Sequence, residues 1–408
     1  MAVRSIVKDM GLAETGNRKI NWVARHAPVL NVLRDSYLSD GSLQGLRVGM
    51  TIPLEAKTAY LASLLADVGA DVVISGTAPA YVQDDVAAAL ATRGVTVFAS
   101  SDASLEESER NLLRVLEFRP DALIDDRAEL AALVARHPDM RGTIRGSSEE
   151  TTFGVTRLRA MEEQGVLPFP AIAANNARCK HLFDNRYGTG QAAMTAIMDT
   201  TNLFIAGKEV VVVGYGWCGK GIAKRAKGLA AHVTVVEIDP VKGLEAYADG
   251  FNVQPLERAV EWGDIFVTST GVRDAIDPQS ILSMKDGAIL ANAGGIDVEI
   301  DEAKLRDMAV SEREVRQHIT EFTLPNGRRI NLLAHGMVVN LAAADGHPVE
   351  IMDLTFSVQA LGIWYVARNH ERLEPRVYEF PDDLDREIAR LKLASLGMGI
   401  ASPGRLHP

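Results

Sequence analysis

At 408 residues the chain is longer than one hydrophobic core commonly serves, so two domains are expected. Apolar residues make up 47% and charged residues 24%, which excludes a disordered tract or a fibre as the main body. A net charge of -11, with no basic stripe interleaved with aromatics, speaks against nucleic acid and anionic membranes as partners.

The two cysteines, Cys179 and Cys218, lie far apart and outside any C-x-x-C or H-E-x-x-H spacing. Neither a disulfide framework nor a metal site is therefore expected, and a reducing cytoplasm fits. The opening MAVRSIVKDMGL carries charge where a signal peptide needs an apolar core. No apolar run approaches the roughly 18 residues of a membrane span.

Taken in chain order, residues 1–45 read as helical up to the linker-like SDGSLQG. Leu46 to Ile52 then reads as a strand, Glu55 to Ala66 as a helix and Asp71 to Ile74 as a strand. The alternation continues through Val95 to Ala99 and Ala122 to Ile124, as in a first α/β domain. It stops near Ile172, where a helix carrying Lys180 leads through Asp184 and Asn185 into a hinge-like Gly-Thr-Gly segment.

The next stretch, KEVVVVGYGWCGKGIAKRAKGLAAHVTVVE, begins with four valines, the pattern of a strand buried on both faces. Gly214, Gly216 and Gly219 follow at G-x-G-x-x-G spacing, then an apolar helical face, then a second strand ending in Glu237. This is a dinucleotide-binding βαβ unit. Its glycines admit a pyrophosphate to the backbone, the helix start offers free N–H groups, and Glu237 stands where a carboxylate accepts from ribose hydroxyls. A carboxylate there favours NAD over NADP. Strands Ile265 to Ser269 and Ala288 to Ala291 end in small residues, as befits a ligand crevice. After Asn340, ADGHPVEIMD precedes a helix from Thr355 to Arg368 that is expected to rejoin the first domain. Pro381 to Leu396 reads as a charged amphipathic helix, and SPGRLHP as a frayed end.

LEAKTAYLASLL, QDDVAAAL, LIDD, SSEETTFGV, KHLFDNRYGTGQ, GYGWCGKGIAKRAKGL and VVNLAAADGHP together resemble the S-adenosylhomocysteine hydrolases, from about Ile20 to about Gly397. The resemblance implies a Rossmann-type doubly wound parallel sheet for the cofactor and a split α/β substrate domain. The expected boundaries are 1–185 completed by 346–375 for substrate, 186–345 for NAD, and a short C-terminal segment 376–408. A homo-oligomer, dimer or tetramer, acting on a small nucleoside or nucleotide is also implied. So is a redox-neutral cycle: transient oxidation of ribose C3′ by bound NAD, loss of the C4′ proton, expulsion of homocysteine from C5′, addition of water and re-reduction.

Residue by residue, the resemblance makes Lys180 the base and Asp184 its orienting partner, since the two stand at i and i+4 of a predicted helix. Glu150 and Glu55 are expected on the substrate together with Lys180 and Asp184. Asn185, Thr151, Thr152, Asn292 and Asn340 are expected on the cofactor. Asp126 and His347 complete the catalytic set, and no metal is expected.

The chain departs from the family pattern where homocysteine leaves. Two family histidines are replaced by Pro53 and Gly295, neither of which can carry a proton on its side chain. The family's D-D-G-G becomes Asp125-Asp126-Arg127-Ala128, Phe153 replaces a threonine, and Met337 replaces an arginine. No match to the family tail that reaches a neighbouring subunit's NAD follows Gly397, so weaker cofactor retention is expected. The favoured expectation is thus 3′-oxidation without C5′ elimination, ending in ribose epimerisation. The alternative is adenosylhomocysteine hydrolysis, with water, His347 and Asp126 replacing the missing imidazoles. A third is an NAD-binding regulatory subunit.

Overall fold

A computed structural model describes residues 5–400, so the expected frayed end SPGRLHP lies outside the described residues. The chain forms two compact units, one running to Lys180 and resuming at Val349, the other spanning His181–Pro348.

The first unit is built on strands β1 (Ile6–Val7), β2 (Arg47–Thr51), β3 (Asp71–Ser75), β4 (Thr96–Ala99), β5 (Ala122–Asp125), β6 (Ser147–Glu149) and β7 (Ala171–Ala173). They pair in the order β1-β4-β3-β2-β5-β6-β7, and the late strand Val377–Glu379 joins beyond β7. Every pairing is parallel. Because the sheet grows one way from β2 and the other way from β5, its order reverses between them. The crevice at the carboxyl ends of β2 and β5 is therefore where a ligand is expected. Val48 and Met50 of β2 pack into one apolar layer, while Val73 and Leu123 of neighbouring strands pack into the opposite one.

The second unit carries β8 (Glu209–Val213), β9 (His232–Val236), β10 (Asn252–Val253), β11 (Ile265–Thr268), β12 (Ala288–Asn292), β13 (Ser311–Arg316), β14 (Ile319–Thr323) and β15 (Arg329–Leu333). Its order is β10-β9-β8-β11-β12-β15-β14-β13, parallel through β15 and closed by an antiparallel edge. The four valines of β8 alternate, Val210 and Val212 into one core and Val211 and Val213 into the other. Each such burial stabilises by roughly 1.5–3 kcal/mol. Here the order reverses between β8 and β11, beside the glycine turn.

Two sequence expectations need correction. Residues 376–408 were expected as a separate segment, yet Val377–Glu379 extends the first sheet, and Leu384 and Ile388 of the helix Asp382–Ser395 are buried in its core. The charged pattern hid this, because a helix can bury a narrow apolar stripe. The Gly-Thr-Gly segment is not a loose hinge but lies in continuous helix, His181–Gly188 running into Thr189–Thr201. Gly190 serves packing instead, since a Cβ there would stand 2.5 Å from the Gly221 backbone.

Candidate active site

In the first unit four acidic residues sit at the ends of adjacent strands, all buried: Asp125 ends β5 and Asp126 follows it, and Glu149 ends β6 and Glu150 follows it. Glu149 Oε1 accepts from Thr151 N at 2.9 Å, and Glu149 Oε2 accepts from Ala128 N at 3.0 Å. Asp125 accepts from Leu130 N at 3.1 Å and Ala131 N at 3.0 Å, at the start of the helix Glu129–Arg136. Burial pushes the Asp125 carboxyl up to about 7, assisted by the charges of Glu129 and Asp126. Burial raises Glu149 as well, with Asp125 and Asp126 adding to it.

These carboxylates brace a strained turn. Arg127 and Ala128 take φ of 59° and 53°, the left-handed region in which side chains cost about 1–2 kcal/mol each. Arg127 N donates to Thr151 Oγ1 at 3.1 Å, and the Arg127 guanidinium lies over the Tyr81 ring, 5.9 Å from its centroid.

Glu150, the carboxylate expected on ribose hydroxyls, accepts from Gln359 Nε2 of the helix Val349–Asn369. Lys180 Nζ lies 3.8 Å from Glu150 Oε1, and both residues are buried. The structure thus brings together the expected base and the expected ribose acceptor.

Several of the expected site residues already have partners within the first unit. Thr151 was expected on the cofactor, but its hydroxyl accepts from Gly154 N at 3.0 Å and from Arg127 N, and donates to Glu149 Oε1 at 2.8 Å. A hydroxyl has one donor and two acceptor sites, so Thr151 is saturated as a helix cap. Thr152 Oγ1 accepts from Asn175 Nδ2 at 3.0 Å, within the first unit. Glu55, expected on substrate, caps the helix Ala56–Asp67, accepting from Lys57 N at 2.9 Å and Thr58 N at 3.3 Å. It also pairs with Lys57 Nζ at 2.6 Å, and this buried ion pair lies at the crevice beside β2. Sequence reasoning missed Lys57 because residues two apart on a helix do not face each other.

In the second unit Asp184 Oδ1 lies 2.6 Å from His347 Nδ1, and His347 Nε2 lies 3.3 Å from Thr189 Oγ1. Asp184 is 2% exposed. The sequence expectation paired Asp184 with Lys180 through α-helical spacing. The turn His181–Gly188 that carries Asp184 is a π-helix, with i→i+5 bonding. Asn185 is buried in the same turn.

The glycine turn has the geometry of a dinucleotide cradle. Gly214 has φ +96°, and a Cβ on Gly219 would stand 1.9 Å from Gly214 O, so these two close the turn. At Gly216 a Cβ would meet nothing within 4 Å, which leaves open space beside an uncapped start of the helix Trp217–Gly228. Backbone N–H groups facing such a space suit a pyrophosphate. Glu237 is held by Tyr215 N at 2.7 Å, Ile238 N at 2.8 Å and Asp239 N at 3.0 Å, with lone-pair capacity left for a hydroxyl. Among the described residues Asn340 Oδ1 is buried without a hydrogen-bond partner, an acceptor in want of a donor.

Asn292 does not fit its expected cofactor contact. Its amide donates to Ile296 O at 2.7 Å and Gly336 O at 2.9 Å, and accepts from Gly294 N at 2.8 Å and Thr268 Oγ1 at 3.3 Å. All four positions are used, so this side chain clamps loops.

Family models of "S-adenosyl-L-homocysteine hydrolase" and of its "NAD binding domain" match residues 4–137 and 185–346. The adenosylhomocysteinase of Thermotoga maritima is 51% identical, over 95% of this chain and 96% of that protein. The chain belongs to the S-adenosyl-L-homocysteine hydrolase family. The S-inosyl-L-homocysteine hydrolase of Methanocaldococcus jannaschii is 50% identical, over 97% of this chain and 95% of its own.

Membership makes the enzyme NAD-dependent, and Gly214, Gly216, Gly219 and Glu237 fit that cofactor. One relative is named an adenosylhomocysteinase and the other a hydrolase, so the favoured epimerase expectation finds no support among them. Among the described residues, no helix is long and apolar enough to cross a membrane, and no acidic, cysteine and histidine cluster is arranged to hold a metal.

Proposed function

We propose that this enzyme hydrolyses the thioether of S-adenosylhomocysteine or its inosine counterpart, yielding homocysteine and the purine nucleoside. The observation that carries this reading is the Asp184–His347 bond of 2.6 Å. An imidazole oriented by a buried carboxylate is a proton carrier, the function that Pro53 and Gly295 had suggested was missing. NAD, when bound, supplies a reversible hydride acceptor for the sugar.

Lys180, buried against Glu150, takes and returns the ribose proton, and Glu150 accepts from the sugar hydroxyls. Gln359, fixed in an apolar helix, holds Glu150 in place. Lys180 takes the C4′ proton as the C5′–S bond breaks, and His347 protonates the departing thiolate. Water then adds its hydroxyl to C5′ and gives its proton to His347, while Lys180 returns its proton to C4′. Asp126 stands at the end of β5, where the resemblance sets the C5′ substituent. A homo-oligomer in the cytoplasm completes the proposal.

The test is thiol release from S-adenosylhomocysteine and S-inosylhomocysteine by the NAD-loaded enzyme in D₂O. Homocysteine release is expected with at least one of them. Deuterium entering a ribose carbon with no free thiol would overturn hydrolysis. His347→Asn should lower kcat on the order of 10²- to 10⁴-fold, the usual range for losing an acid–base group.

A further inference from the structure

Lys180 rides on a helical turn that begins without a capping side chain of its own. Ala177 precedes the turn Arg178–Lys180, and a methyl group cannot accept the N–H groups that a helix start exposes. One of those amides is satisfied within the turn and two from elsewhere. Lys180 N donates to Ala177 O at 3.0 Å. Arg178 N donates to Asp385 Oδ2 at 2.8 Å, and Cys179 N to Asp385 Oδ1 at 2.9 Å. Asp385 belongs to the helix Asp382–Ser395, 206 residues further along from Cys179. Its main chain contributes too, since Cys179 Sγ donates to Asp385 O at 3.2 Å.

The carboxylate is 5% exposed, so both bonds are shielded from water. Its negative charge also faces the positive end of the turn. The helix that supplies it is tied independently: Lys392 Nζ bonds Asp353 Oδ2 at 3.0 Å, and Asp353 accepts from Val29 N and Leu30 N at 3.2 and 3.0 Å.

We propose that Asp385 is a positioning residue for Lys180, a helix cap supplied across the fold that sets where the ammonium group meets the substrate. This rests on the reading of Lys180 as the ribose base. Removing the carboxylate frees two consecutive amides next to Lys180, and the turn can then shift without unfolding the unit. Displacing a reacting group by about 1 Å can cost on the order of 10²-fold in rate.

The experiment uses the full-length NAD-loaded enzyme and S-adenosylhomocysteine, with amide deuterium exchange of residues 178–180 as a second readout. Asp385→Ala should lower kcat on the order of 10- to 100-fold, change KM by about twofold or less, and speed exchange at Arg178 and Cys179. Asp385→Asn, which keeps the size but sets an NH₂ against one amide, should fall between and serves if the alanine variant does not fold. Lys392→Met loosens the same helix away from these amides, so it should lower Tm while kcat stays near wild type. An equal loss of kcat in Lys392→Met, or wild-type kcat in Asp385→Ala, would overturn the inference. Full activity in Lys180→Ala would overturn the base assignment and this inference together. An inactive Lys180→Ala beside a fully active Asp385→Ala would overturn the positioning role alone.

Discussion

Replacing Gly216 by alanine separates cofactor binding from folding. In the protein alone, the new methyl meets nothing within 4 Å, and the backbone at φ -74° and ψ -168° suits any residue. The substitution should therefore raise the stability of the free enzyme by about 0.4–1 kcal/mol, by narrowing the unfolded ensemble. The same methyl occupies the space through which a pyrophosphate reaches the helix start. Losing one charge-assisted hydrogen bond costs about 1.5–3 kcal/mol, which weakens NAD roughly 10- to 150-fold. At a concentration of about 100 Kd, NAD stabilises the native enzyme by about 2.7 kcal/mol; a 100-fold weaker complex would leave only about 0.4 kcal/mol. Calorimetric unfolding with and without NAD reads both effects. Gly219→Ala is the contrast, because its Cβ would stand 1.9 Å from Gly214 O and must distort the turn even without ligand. An unchanged NAD-dependent rise of Tm in Gly216→Ala would refute the cradle, as would a marked fall of its Tm without NAD.

Other outcomes follow from the first unit. Asp125 and Glu149 keep protons in the folded state that an unfolded chain releases near pH 4, because burial raises both. The native state binds more protons, so the Asp125 contribution is full below about pH 4 and is lost as pH rises through about 7, with Glu149 acting in the same direction. Urea midpoints at about pH 5 and about pH 8 should show this fall, and Asp125→Asn should flatten it. Lys57→Met removes the ammonium paired with buried Glu55 and should destabilise by about 3 kcal/mol, read as a lower urea midpoint. A midpoint within error of wild type would mean that the backbone amides alone hold that carboxylate. Gln359→Leu removes a fully buried donor to Glu150 and should raise KM by roughly tenfold, with stability less affected. Unchanged KM would remove Gln359 from the substrate side.

What the chain determined by itself was everything encoded by short-range pattern. The alternating valines of Val210–Val213, the spacing of Gly214, Gly216 and Gly219, and the following helix specify a βαβ unit, because strand pleat, turn sterics and helix period act over a few residues. Family motifs likewise marked Lys180, Glu150, Asp184 and His347.

Which polar groups already satisfy one another was decided only by the fold. Thr151 and Asn292 stand in motifs of the expected kind, yet strand neighbours and loops saturate their hydrogen bonds. His347 pairs with Asp184 across 163 positions because the π-turn and the end of the second unit converge. Asp385 looks like one more surface acid in a charged helix, and Gln359 like one polar interruption in an apolar one. Hydrogen bonds are short and directional, so their partners are set by tertiary packing and not by residue type or separation in sequence.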